Sequence, residues 1–159
     1  MNRYEGLVSG EGASNANNFT RESLRLIFSY KNNDIRLLNI QSIDIIPPPS
    51  DPLDYPANQP GFWYELKDLQ GRTLYRRIIQ NPVNPYREVF SNDPYNSIIR
   101  QKVSEPQGTF VLLVPNIPGA RSVFLFGPPD IESTDIGAKK LGRFDVISER
   151  SKRKRSKRK

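Results

Sequence analysis

The side chains available for chemistry in this chain are carboxylates, ammonium and guanidinium groups, hydroxyls and aromatic rings, because its 159 residues contain neither histidine nor cysteine. That removes Ser-His-Asp triads, Cys-His dyads, thiolate nucleophiles, disulfides and His/Cys zinc sites. Two kinds of carboxylate chemistry survive. Asp51, Asp54, Asp93, Asp130, Glu132 and Asp135 gather in loop-like segments, and such groups can hold Ca²⁺ together with backbone carbonyls. None of their spacings follows an EF-hand loop. A pair of carboxylates can also hydrolyse glycosides, but no pair is singled out. The expectation is a protein that is not an enzyme and holds no metal or cofactor, with a carboxylate-only hydrolase as the remote alternative.

Recognition chemistry is better represented. Residues 62–79 read as a β-hairpin, with two alternating segments flanking Asp68-Leu69-Gln70-Gly71. Asp68 can bond its own backbone ahead, and Gly71 can take the left-handed position that closes the loop. A loop of Leu69, Gln70 and Gly71 sets Asp68 opposite Arg72. In that register Phe62, Tyr64, Leu66, Leu74 and Ile78 share one face. Trp63, Glu65, Lys67, Thr73, Tyr75 and Arg77 share the other, with Trp63 opposite Arg77 and within reach of a cation–π contact. Trp, Tyr and Arg are enriched at interface hot spots, so Trp63, Tyr75 and Arg77 are candidate partner-binding residues. The plainer alternative is that this face braces the sheet. The segment 141–147, with Leu141 and Phe144, reads either as a partner-docking peptide or as an edge strand.

The sharpest local feature is the end of the chain. Arg150, Lys152, Arg153, Lys154, Arg155, Lys157, Arg158 and Lys159 lie within the last ten positions. They account for the formal charge of +7, since the remaining sixteen basic residues face seventeen acidic ones. Such a tail fits nucleic-acid phosphates, an anionic membrane or an acidic protein partner. The near-neutral body carries no basic stripe of the kind that reads DNA sequence.

Stepping along the chain gives the elements that must carry these groups. Residues 1–20, rich in Gly, Ser and Asn, read as a disordered arm. Alternation predicts a strand over 23–30, a turn at 31–34 and a second strand over 35–46 whose alternation slips, as at a bulge. Six prolines between 47 and 60 fit a stiff connection between two sheets better than a polyproline-II ligand. After the hairpin, strands are predicted over 88–91, 98–103, 109–114 and 121–126. The third of these, 109–114, is apolar on both faces and is expected to be an inner strand covered on both sides. The sum is an all-β, immunoglobulin-like antiparallel β-sandwich of about seven to eight strands over 22–127. A linker or docking segment (128–149) and the basic tail (150–159) follow. No leader or long apolar run is present, so the default location is the cytoplasm, with export by other routes or tail-directed targeting left open.

Residues 24–91 resemble the N-terminal β-sandwich domain attached to M64 (IgA-cleaving type) bacterial metallopeptidases. The likeness lies in Leu24-Arg25-Leu26-Ile27-Phe28-Ser29-Tyr30, then Gly61-Phe62-Trp63-Tyr64-Glu65-Leu66-Lys67-Asp68, Gly71 and Leu74-Tyr75-Arg76-Arg77. It implies a bacterial, non-catalytic sandwich that serves as an accessory. The peptidase part and its His-Glu-x-x-His zinc motif are absent, so no catalytic residue carries over. The function expected is a non-enzymatic interaction module, a subunit or adaptor in a larger assembly. The alternative is a nucleic-acid-associated protein held by its tail.

Overall fold

The computed structural model describes residues 21–54, 61–83, 85–90, 92–95, 97–128 and 137–146. The arm expected over 1–20 and the basic residues of 150–159 lie outside them. The described residues form nine strands, paired antiparallel throughout, and no helix. No helix among them is therefore long and apolar enough to cross a membrane.

Strand β1 (Ser23–Lys31) buries Leu24, Leu26 and Phe28 and turns Arg25 outward, as the alternation requires. The turn that follows puts Asn32 at φ 54°, a left-handed position that asparagine tolerates, and β2 (Asp34–Ile43) returns along β1. The slip expected in β2 is a bulge at Leu38: Ile27 pairs with Asn39 and Phe28 with Leu37, leaving Leu38 unpaired and exposed. On the other side of β1 runs β7 (Gln107–Pro115), giving the order β2-β1-β7.

The second sheet has the order β4-β3-β8-β9, from β3 (Phe62–Asp68), β4 (Thr73–Ile79), β8 (Ala120–Gly127) and β9 (Lys139–Asp145). The two sheets share one core: Leu24, Leu26 and Phe28 meet Phe110, Leu112 and Val114 on one side and Phe62, Tyr64, Leu66, Tyr75, Val123 and Leu125 on the other. Phe62 meets Phe110 edge-on across it, with centroids 6.2 Å apart, and Tyr64 Oη donates to the Leu113 carbonyl at 2.8 Å.

The loop of the central hairpin closes as expected. Gly71 has φ 81°, the Arg72 amide donates to Asp68 Oδ1 at 2.9 Å, and the Asp68 amide donates to the Arg72 carbonyl at 3.1 Å. The register beyond it differs. Leu66 pairs with Tyr75 and Lys67 with Thr73, so Leu74 is an extra residue on β4. One inserted residue moves every later side chain to the opposite face. Tyr75, Arg77 and Ile79 therefore join Leu66, Tyr64 and Phe62, while Arg76 and Ile78 stand beside Glu65 and Trp63.

Two more expectations are corrected. Strand β7 is not an inner strand covered on both sides. Among the described residues it lies at the edge of its sheet, and Val111 on its outer face is 45% exposed. Residues 139–146 belong to the folded unit rather than to a linker, and the edge-strand reading of 141–147 is the one seen in them: β9 pairs with β8 at the edge of its sheet, and Val146, Leu141 and Phe144 pack with the core. The boundary at 127 moves accordingly.

The proline-rich connection does run from one sheet to the other, and its described part caps the outer edge of β4. The Asp51 amide donates to the Arg76 carbonyl at 2.8 Å, the Ile78 amide to Asp51 Oδ2 at 2.7 Å, and the Arg76 amide to Ser50 Oγ at 3.1 Å. An edge strand is thereby closed to stray pairing. Among the described residues the remaining strands, β5 (Tyr86–Phe90) and β6 (Ile98–Lys102), which follow β4 and precede β7 in the chain, pair only with each other as a two-stranded ribbon.

Candidate functional site

Two surfaces bring chemically distinctive side chains together. The first is the outer face of the four-stranded sheet, a grid of three rows across β4, β3, β8 and β9. The rows read Ile78-Trp63-Phe126-Lys140, Arg76-Glu65-Phe124-Arg143 and Thr73-Lys67-Ser122-Asp145. Trp63 stacks on Phe126 with centroids 3.8 Å apart, and the Arg76 guanidinium lies 4.8 Å from the Trp63 ring. Three cations surround Phe124: Lys140 at 4.5 Å, Lys67 at 5.3 Å and Arg143 at 5.7 Å from its centroid.

Glu65 sits buried at the centre. Its Oε2 lies 2.7 Å from Lys67 Nζ, and its Oε1 accepts Arg76 Nε at 2.9 Å as well as a bond from Arg76 Nη2. Burial alone would raise its pKa, but the hydrogen bonds and charges of Lys67 and Arg76 outweigh that and hold the carboxyl below its ordinary range. A carboxylate pinned as an anion by two cations is a poor proton donor near neutral pH. Both faces of the Trp63 ring are also in use, by Phe126 and Arg76. The Trp63 Nε1 is buried with no hydrogen-bond partner among the described residues. This face is built as a closed brace.

The sequence-predicted partner-binding residues are accordingly dispersed. Trp63 is buried against Phe126, and its cation is Arg76 rather than Arg77. Tyr75 lies in the core with its hydroxyl donating to the Pro48 carbonyl at 3.0 Å. Arg77, on that same side, donates to the Pro49 carbonyl at 3.0 Å and lies 3.7 Å from Asp51. Leu141 and Phe144 pack against the core, Phe144 edge-on to Phe28 at 5.1 Å. Burial pushes the Tyr64 hydroxyl well above the ordinary phenol range and raises that of Tyr75. Of the loop carboxylates, Asp51 caps β4 and Asp93 accepts the Tyr95 amide at 2.9 Å, whereas Asp130, Glu132 and Asp135 lie outside the described residues. No group of three metal-ligating side chains occurs among the described residues. A pocket lined in part by Asn32, Ile35, Val83 and Leu141 has about 70 Å³ of space, against the roughly 300–1,000 Å³ of small-molecule sites.

The second surface is the β5–β6 ribbon. Every residue of both strands is exposed, including Tyr86, Val89, Phe90, Ile98 and Ile99, and Tyr95 joins them at the tip. Phe90 is 85% and Tyr95 93% exposed. One further rung closes the two strands at the base, where the Val103 amide donates to the Pro85 carbonyl at 2.8 Å. A two-stranded ribbon with no third strand and no buried face is at best marginally stable in water. The pairs Tyr86–Lys102, Glu88–Arg100 and Phe90–Ile98 share one face, and Arg87–Gln101 and Val89–Ile99 the other. Nothing in the sequence reading marked this ribbon as more than two short strands. Its signal was the density of apolar residues on both faces without a long enough partner run to cover them.

No family model matches the chain, and neither a curated protein nor a solved structure matches it.

Proposed function

We propose that the chain is a non-enzymatic, immunoglobulin-like β-sandwich module that works by protein–protein contact as a subunit or adaptor in a larger assembly. The observation that carries this reading is the exposed apolar surface of the β5–β6 ribbon, centred on Phe90. Large apolar side chains left exposed together on one short element point to an interaction site on a folded domain. The immunoglobulin-like part rests on strand order. The sequence β4-β3-β8-β9 follows the C′-C-F-G sheet of variable domains, and β5–β6 occupies the place in the chain of strand D. The other sheet departs from it by placing its first strand, not its second, at the centre. An accessory role is also what the likeness to the M64 N-terminal domain implies, and the locked state of Glu65 is in keeping with it.

The test is the size of the native species. In extract from the cells that make it, the chain should elute well above its own 18.2 kDa, and Phe90→Asp should return it to that size. Elution of the unaltered chain at 18.2 kDa would sink the reading.

A second reading has one observation in its favour. Eight basic residues end the chain, and Lys139, Lys140 and Arg143 line the strand that precedes them. A nucleic acid held by the tail should show an affinity that falls with salt at a log–log slope near −7 for about eight neutralised phosphates. Equal, negligible binding by chains ending at 149 and 159 would remove it.

A further inference from the structure

We infer that the β5–β6 ribbon is a homodimerisation arm, whose Tyr86-Glu88-Phe90 face packs on the same face of a second copy of this chain. The inference rests on the reading of the ribbon as a protein-contact surface and names its occupant.

This face is self-complementary in charge and in apolar surface. On this face the rows are Tyr86–Lys102, Glu88–Arg100 and Phe90–Ile98, running from the base toward the tip. Glu88 is the only carboxylate among the ten strand residues, and it already lies 4.0 Å from Arg100 across the ribbon. Two identical faces can meet about a twofold axis lying between them and parallel to the strands. That operation lays β5 of one copy on β6 of the other. Glu88 then meets Arg100 of the second copy, so four charges alternate in sign. Phe90 meets Ile98, closing four apolar side chains over one another, and each Tyr86 ring meets a Lys102 ammonium.

A twofold axis running across the strands would set Glu88 on Glu88 and Arg100 on Arg100, so charge selects the first arrangement. The opposite face, Arg87–Gln101 and Val89–Ile99, carries a cation and no carboxylate, and lacks this complement. Among the large apolar side chains of the two strands, Phe90 on this face is the most exposed. Three rows on two short strands form a small interface beside the roughly 1,200–2,000 Å² of a stable complex. The dimer should therefore be a weak one that depends on concentration.

The experiment is sedimentation velocity on the full chain from about 1 µM to about 1 mM, with Trp63 emission as the check on folding. The unaltered chain should pass from monomer to dimer across that range. Phe90→Asp, Glu88→Arg and Arg100→Glu, all at exposed positions, should each stay monomeric. An equimolar mixture of Glu88→Arg with Arg100→Glu should dimerise again, because one copy then carries Arg at both positions and the other Glu at both. A monomer at every concentration, or a mixture no better than its components, overturns the inference. If the purified chain is monomeric but still runs in a Phe90-dependent assembly in its native extract, the second copy is wrong and the protein-contact reading stands. If neither species exists, both fail.

Discussion

Arg76 and Glu65 stand directly opposite each other on β4 and β3, and the guanidinium gives two hydrogen bonds to a single carboxylate oxygen. Both side chains are buried although both lie on the outer face of the sheet. The pair thus links the two strands of the central hairpin and seats the guanidinium over Trp63. Removing one partner leaves an uncompensated buried charge, which costs about 3–5 kcal/mol. Arg76→Leu should lower the free energy of unfolding by that order in urea titrations, because Lys67 satisfies only one of the two oxygens. A loss under about 1 kcal/mol would mean that the pair behaves as a surface ion pair.

Acid should act through the same carboxylate. The folded pKa of Glu65 lies below its unfolded value, so its contribution to stability is present above the ordinary glutamate pKa of about 4.3 and disappears as pH falls through the folded value. Glu65→Gln should flatten the stability profile in that window relative to the parent. The midpoint of urea unfolding, followed from neutral pH down to about pH 3, reads this. Parallel profiles for parent and variant would contradict it.

The alkaline limb has the opposite sign. Tyr64 and Tyr75 have raised pKa values in the folded state, so their stabilisation is full below the unfolded phenol value of about 10 and is lost as pH rises beyond it. Of the seven tyrosines, these two should ionise only as the fold opens. Absorbance titration near 295 nm should show that late step together with the loss of Trp63 burial. Early, reversible ionisation of all the tyrosines would be inconsistent with the buried core.

The edge cap gives a separate test. Asp51→Ala removes the bond to the Ile78 amide and the charge beside Arg77, and should cost about 1 kcal/mol. It also uncovers β4, so light scattering at high concentration should rise more than the stability loss explains. Tyr75→Phe, which removes the bond to the Pro48 carbonyl and the contact of the Tyr75 hydroxyl with that of Tyr64, should cost a similar amount without that rise.

Much of the fold was legible because one buried face forces alternation. Leu24, Leu26 and Phe28 announce β1, and the Asp68–Gly71 loop announces the hairpin. What stayed hidden were the bulges. The extra Leu74 exchanges Arg77 for Arg76 beside Trp63, and no pattern in the hairpin itself demands it. In β9 the extra residue is Leu141, which lets Leu141 and Phe144 both reach the core from positions three apart, so period two was not visible there. The run 109–114 misled for a different reason: its outward Val111 is apolar and left exposed, which sequence cannot tell from covered. Phe124 and Phe126 were missed because their importance lies in the rows they complete, across three strands distant in sequence.

The most direct test of the account is amide hydrogen exchange over residues 86–102, compared between the chain in its assembled state and the same chain at high dilution. A contact surface predicts fast exchange when dilute and marked protection of β5 and β6 on assembly, with the strands of the two larger sheets unchanged. Equal exchange of the ribbon in both states would show that nothing docks there, and the central claim would fall.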